Sequence, residues 1–277
     1  MDGADDEPYE KKLQAVLVVL SMIVVISAGY FIYSIIYLSD NSEYERITQP
    51  GELAKDYLQN GTYSEILIEV DFVEGFAPGD DAMETLTNML DRHCDKNTIV
   101  TELSDTINEP DVMDVYNVND IYNLEKKYRN HRTGNGVVVM YILFLNGFYE
   151  GSDATLGVSY QGSSFAIFKE KVEGIEIPHG IRQYVSQSDF ENAVVVHEAG
   201  HLLGLVNIHY TSETDHEGPE SAHHCIHEEC AMYHALEHSR QSYMEKIFEG
   251  GSDNLKPPVV FCEDCEEDLN NIKSDVY

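Results

Sequence analysis

Apolar positions fall into three regimes along this chain. The first is continuous. Leu13 to Leu38 is a 26-residue run without a charge. As a helix rising ~1.5 Å per residue it reaches ~39 Å, against a hydrocarbon core of ~30 Å, so a tilted membrane span is expected. A cleavable signal has an apolar region of only about 7–15 residues, which favours a retained anchor over a leader cut near Ser27-Ala28-Gly29. Lys11 and Lys12 precede the run, and Asp40, Glu43 and Glu45 follow it. The positive-inside rule then makes residues 1–12 a cytoplasmic tail and 13–38 a single-pass span of the cell membrane, with the remainder extracytoplasmic.

The second regime is periodic. Residues 39–63 are polar, with Pro50-Gly51 and Asn60-Gly61 as turn signals, and read as a stalk with a short helix over Glu52–Gln59. From residue 64 the pattern is regular. Ile66–Val73 alternates as a strand does, and Thr98–Leu103 is a second strand. Asp80–Cys94 carries Met83, Leu86, Met89 and Leu90 at helical spacing, and Ile121–Arg129 is a second helix. Gly136–Leu145 is nearly all apolar, as in a central strand buried on both faces. Ala154–Phe168 gives one or two further strands, with Gly157 and Gly162 at bends. This order predicts an α+β domain over 64–277, with a twisted mixed sheet. Past residue 205 the periodicity fades, which predicts an irregular C-terminal subdomain.

Charge narrows the function. Seventeen Lys and Arg against fifty Asp and Glu leave a formal net charge of −33. Nucleic-acid binding needs clustered cations, so no nucleic-acid partner is expected. The lipid bilayer is a partner only through residues 13–38, because an acidic ectodomain does not adhere to anionic lipid.

The third regime is chemical. Nine of twelve His lie between His197 and His238, and four of five Cys between Cys225 and Cys265. The sharpest motif is His197-Glu198-Ala199-Gly200-His201. Ser188-Asp189-Phe190-Glu191 before it reads as a capping box, so a helix should begin at Asp189. One helical turn separates His197 from His201, a spacing at which two imidazoles hold one Zn²⁺. Glu198 is then placed as general base and acid beside a zinc-activated water. Cys225-x4-Cys230 and Cys262-x2-Cys265 have the loop spacing of a four-thiolate zinc site. In an exported domain, disulfides such as Cys225–Cys230 are the alternative. Cys94 reads as a buried thiol. The acidic run from Glu263 to Asp268 reads as the first turn of a terminal helix, where it opposes the positive dipole end.

His197-Glu198-x-x-His201-x-x-Gly204 resembles the metzincin zinc-peptidase signature. His224-Cys225-x4-Cys230-x-Met232 followed by Cys262-x-x-Cys265 resembles the archaemetzincins, and the wording around it is similar to a set of exported metzincin-like proteins. The resemblance implies a metzincin-like peptidase domain with a catalytic zinc, a second structural zinc on the four cysteines, and Met232 as the Met-turn beneath the catalytic zinc. It implies a third zinc ligand three residues after Gly204, where this chain has Asn207. His216, in a loop that matches the exported set, is the preferred third ligand. His224 is the alternative, with His209 and Asn207 behind. Tyr233 either lines the substrate pocket or simply packs.

The expected function is a membrane-anchored zinc metallopeptidase, an endopeptidase or aminopeptidase, acting on peptide or protein substrates laid along an edge strand within Ala154–Phe168. Two other readings compete: an inactive zinc-stabilised ectodomain that binds a partner, and a metal-handling ectodomain using the histidines of 209–238. Orientation is testable directly. Protease added outside intact cells is expected to remove the domain from Asn41 onward and spare an N-terminal tag. Loss of the tag with survival of the domain would invert the topology.

Overall fold

The computed structural model describes residues 48–219, 221–235 and 256–274. The expected tail and span at 1–12 and 13–38 lie outside the described residues. Among the described residues no helix is long and apolar enough to cross a membrane.

The first described elements are helix α1 (Ala54–Leu58), strand β1 (Glu65–Val73), helix α2 (Asp80–His93) and strand β2 (Thr98–Ile107). A two-residue strand β3 (Val115–Tyr116) precedes helix α3 (Val118–Tyr128). Strand β4 (Val137–Leu145) is followed by β5 (Phe148–Tyr149), then β6 (Gly157–Gln161) and β7 (Ser164–Phe168). Helix α4 (Lys169–Glu173) and the long helix α5 (Gln187–Leu202) complete the regular part. Beyond it lie a hairpin, β8 (Glu217–Gly218) with β9 (Ser221–Cys225), and helix α6 (Glu263–Lys273).

The main sheet has the order β2-β1-β4-β7-β6. Its first four strands are parallel and β6 is antiparallel to β7. The sheet is therefore mixed, as expected, and β4 is its centre. Val138 to Leu145 are all buried, which the unbroken apolar run required. On one face Ile66, Ile68, Met140, Ile142 and Phe165 pack with Leu86 and Leu90 of α2 and Val194 to Val196 of α5. On the other, Tyr141, Leu143, Leu145 and Phe168 pack with Ile121 and Leu124 of α3. Helices thus cover both faces, and β6 lies at an edge beside α5.

Several boundaries move for identifiable reasons. β2 runs four residues further than the pattern predicts. As an edge strand it leaves Val100 and Leu103 about half exposed, which blurs its alternation. α3 starts at Val118 rather than Ile121 because Asn117 caps it. The Asn117 Oδ1 accepts from Asp120 N at 3.1 Å, and Asp120 Oδ2 accepts from Asn117 N at 3.0 Å. The linker assignment fails for 48–63. Ala54, Tyr57 and Leu58 are fully buried in the main core. The Tyr57 hydroxyl donates to the Val139 carbonyl at 2.9 Å. Lys96 Nζ donates to the carbonyls of Asp56 and Gln59, at 2.6 and 2.5 Å, and so ties the segment to the loop after α2. Short polar stretches around Pro50-Gly51 hid three core residues.

Tyr57→Ala tests that correction. A stalk residue would change stability by no more than about 0.5 kcal/mol. A buried aromatic truncated to alanine is expected to cost about 3–5 kcal/mol in urea unfolding of the full-length chain.

Candidate metal centres

α5 is held at both ends before any metal chemistry begins. Its capping box is Ser186 with Asp189, not Ser188 with Glu191: Ser186 Oγ accepts from Asp189 N at 3.3 Å, and Asp189 Oδ2 from Ser186 N at 2.8 Å. Glu191 is buried instead, accepting from Gly79 N at the start of α2 and paired with the buried Lys169. At the other end Gly204, with φ +84°, closes the helix. Leu205 N donates back to Gly200 O at 3.1 Å and Gly204 N to His201 O at 3.1 Å. This is a Schellman motif, which needs a left-handed residue at its glycine. Val206 and Asn207 follow at φ 56° and 60°. Such a conformation in a β-branched valine stores about 1–3 kcal/mol, held by the packing around it.

That turn commits Asn207 to the loop. Asn207 donates from Nδ2 to Glu217 Oε2 at 2.8 Å and accepts at Oδ1 from Ser212 N at 2.7 Å. Both ends of its amide brace the loop that follows. His209 is exposed and stacked edge-on against Tyr210.

His197 and His201 meet His224 of β9. One ring nitrogen from each lies within 4.8 Å of the others, and all three rings are buried. The ring centroids form a near-equilateral triangle with sides of 4.9, 5.1 and 5.2 Å. Two rings are oriented by backbone. The Nδ1 of His197 lies 2.7 Å from the Ala231 carbonyl, and that of His224 lies 2.7 Å from the Ala222 carbonyl. A carbonyl only accepts, so both rings carry their proton on Nδ1 and keep the Nε2 lone pair for a ligand. Three neutral imidazoles suit a borderline cation such as Zn²⁺. Glu198 is buried beside them, and a Cβ on Gly157 of β6 would fall 2.6 Å from its Oε1. Met232 lies beneath the helix, where a Cβ on Gly200 would come within 2.2 Å of its sulfur. Gly200 is thus a packing requirement, signalled in the sequence only by two small residues between the motif's Glu and its second His. Tyr233 is buried, with its ring against His234.

His216, the preferred third ligand, lies elsewhere. Its Nε2 is 2.9 Å from Asp268 Oδ2, and its Nδ1 faces Cys225 Sγ at 3.5 Å and Cys265 Sγ at 3.8 Å. Ile226 N donates to the His216 carbonyl at 3.0 Å, so the hairpin fixes the backbone here and the loop is not free to fold back. The Asp268 carboxylate raises the His216 pKa above its ordinary value, against the opposing effect of burial.

The four cysteines converge around it. Cys225 Sγ is 3.6 Å from Cys262 Sγ, and Cys230 Sγ is 3.6 Å from Cys265 Sγ. None is in a disulfide, whose sulfurs would be ~2.05 Å apart. Two thiolates on one tetrahedral zinc, each at ~2.3 Å, lie ~3.8 Å from each other, close to what is found. Backbone N–H groups point at the sulfurs: His227 N to Cys225 at 3.4 Å, and Met232 N and Cys262 N to Cys230 at 3.4 and 3.3 Å. Donors aimed at sulfur favour the thiolate form that binds metal. The donor atoms that all lie within 4.8 Å of one another are those of His216, Cys225, Cys262 and Cys265, a mixed set of one imidazole and three sulfurs. Cys230, the fourth cysteine of the expected four-thiolate site, lies beside this set through its contact with Cys265. His227 pairs with Asp264 at 2.8 Å and so stands apart from both centres. His238 lies outside the described residues. Burial pushes the Cys94 thiol up to about 12, as suits an inert core residue.

No protein-family model matches this chain, and no curated protein matches it. Among solved structures, the crystal structure of archaemetzincin from Methanopyrus kandleri is similar over 77% of this chain and 97% of its own, with a TM-score of 0.44 and 13% sequence identity.

The two histidines exchange their expected phenotypes. In zinc analysis of the purified chain, His224→Ala is expected to lose metal from the histidine triad and keep it at the cysteines. His216→Ala is expected to keep the triad's metal and weaken the cysteine centre. The opposite pattern would restore His216 as the third ligand.

Proposed function

We propose that this chain is a zinc metallopeptidase, held at the cell membrane by residues 13–38 with its domain outside. The observation that carries the reading is the convergence of His197, His201 and His224 beside the buried Glu198, against an edge strand. When bound there, zinc lowers the pKa of a water and polarises the substrate carbonyl.

The chain's own residues supply the rest. Glu198, one position after His197 and on the same helix, takes the proton of the attacking water and passes it to the leaving amine. Among the described residues β6 is paired with β7 alone, and its outer edge would offer backbone donors and acceptors to an extended peptide. Ala231 and Ala222 hold two imidazoles in the tautomer that binds metal. The cysteine centre fits a second, structural zinc, which replaces core that the irregular C-terminal region lacks.

Asn207 at the position where the metzincin signature has a ligand would favour the other reading, an inactive zinc-stabilised ectodomain that binds a partner. His224 answers that objection, because the third donor is present at another position. A glutamate beside three imidazoles gains nothing in a purely structural site.

Glu198→Gln separates the two. It keeps size and hydrogen bonding but cannot accept the proton. Cleavage of a mixed peptide library is expected to fall about 10²–10⁴-fold with zinc content unchanged. Equal cleavage by both forms would remove the enzyme reading.

A further inference from the structure

Val158 of β6 pairs with Ala166 and turns to the core on the α3 side of the sheet, while Gly157 and Ser159 pair with Ile167 and Phe165, whose side chains lie in the core on the α5 side. Both Gly157 and Ser159 meet Glu198. Gly157 has no room for a side chain, since its Cβ would lie 2.6 Å from Glu198 Oε1 and 2.8 Å from Glu198 Cγ. Ser159 Oγ lies 2.8 Å from Glu198 Oε2 and 2.9 Å from the Glu198 carbonyl. A hydroxyl has one proton to give. The carbonyl belongs to the helix ladder, and an ionised carboxylate is the stronger acceptor, so the proton goes to Oε2.

From this we propose that Ser159 is a positioning residue for Glu198. The inference rests on the peptidase reading above. A glutamate has three rotatable side-chain bonds, and its carboxylate can sweep a wide arc unless something fixes it. Here Ser159 fixes one oxygen. The bare Gly157 gives the other oxygen its place against the strand. The strand that would bind the peptide thereby also sets the height of the base above it. Substrate and base share one reference, so the proton acceptor stands at a constant distance from the bond to be cut. Misplacement of a reacting group by about 1 Å costs up to about 10²-fold in rate, so loss of the Ser159 tether is expected to cost about tenfold.

The test uses the full-length zinc-loaded chain and the best-cleaved peptide of a mixed quenched-fluorescence library. Ser159→Ala is expected to lower kcat about tenfold with KM within twofold, zinc content and Tm unchanged. Ser159→Thr, which keeps the hydroxyl on a strand-favouring residue, is expected to restore kcat to within threefold. In a Glu198→Gln background, Ser159→Ala should cost nothing further, because the group it positions is gone. Full kcat in Ser159→Ala, a loss confined to KM, or no recovery with threonine would overturn the proposal. Zinc-loaded crystal structures of wild type and Ser159→Ala give a second readout that needs no turnover. The carboxylate should leave its place in the variant, and an unmoved Glu198 would overturn the assignment. If wild type cleaves no peptide, the proposed function fails, and the crystal structures alone decide whether Ser159 holds Glu198.

Discussion

Much of this molecule depends on the Ala231 carbonyl accepting the His197 imidazole proton at 2.7 Å. Ala231 lies between Cys230, whose sulfur is 3.6 Å from that of Cys265, and Met232, whose sulfur is pressed against Gly200. Its own amide donates to Val260 at 2.8 Å, two residues before Cys262. One peptide unit therefore links the histidine triad, the helix that bears it and the cysteine cluster. His224 is tied in the same way, since Cys225 is its neighbour and Cys225 N donates to Met232 O at 2.9 Å. The two centres are a few bonds apart along the chain, so order at the cysteines is transmitted as geometry at the histidines.

The same constraint accounts for the place of the third imidazole. A donor directly after Gly204 would come from a turn made of Gly204, Val206 and Asn207 in left-handed conformations. Here that turn opens into a loop braced by Asn207, Ser212 and Asp268, with Ser212 Oγ donating to Asp268 Oδ2 at 2.6 Å. The third imidazole then arrives from β9, already fixed by the neighbouring cysteine. Asp268 also engages His216, so this loop is anchored to the cysteine cluster rather than to the histidine triad.

Strong local signals in the sequence carried over well. The apolar run of β4, the alternation of β1, the helical spacing of α2 and the strands within Ala154–Phe168 all stand in the structure. The cysteines do come near one another, but the group whose donor atoms all meet is His216 with Cys225, Cys262 and Cys265, a mixed set that cysteine spacing alone did not suggest. What failed were choices between equally spaced options. Two Ser-x-x-acid boxes overlap before α5, and the one containing Glu191 lost because a buried Lys169 claims that carboxylate. His216 and His224 are equally plausible in spacing. Only the hairpin register, Glu217 opposite Cys225, decides which ring reaches α5. Residues 48–63 misled for a third reason: their few apolar residues are too sparse to register as a period, yet Tyr57 reaches the central strand. Nothing in spacing alone pointed to Ser159, whose role depends on β6 lying beside α5.

Gly200 places the least helix-favouring residue short of proline between the two histidines of α5. A glycine there costs the helix roughly 0.8–1.0 kcal/mol against alanine, in propensity alone. The Met232 sulfur occupies the volume that an alanine methyl would need. Sequence drift at this position is therefore closed in the direction that local stability would favour. Thermal hardening of the helix by the usual glycine-to-alanine exchange would push the helix off its floor. Mutational tolerance here is set by the thickness of one methyl group, whatever the residue's distance from substrate.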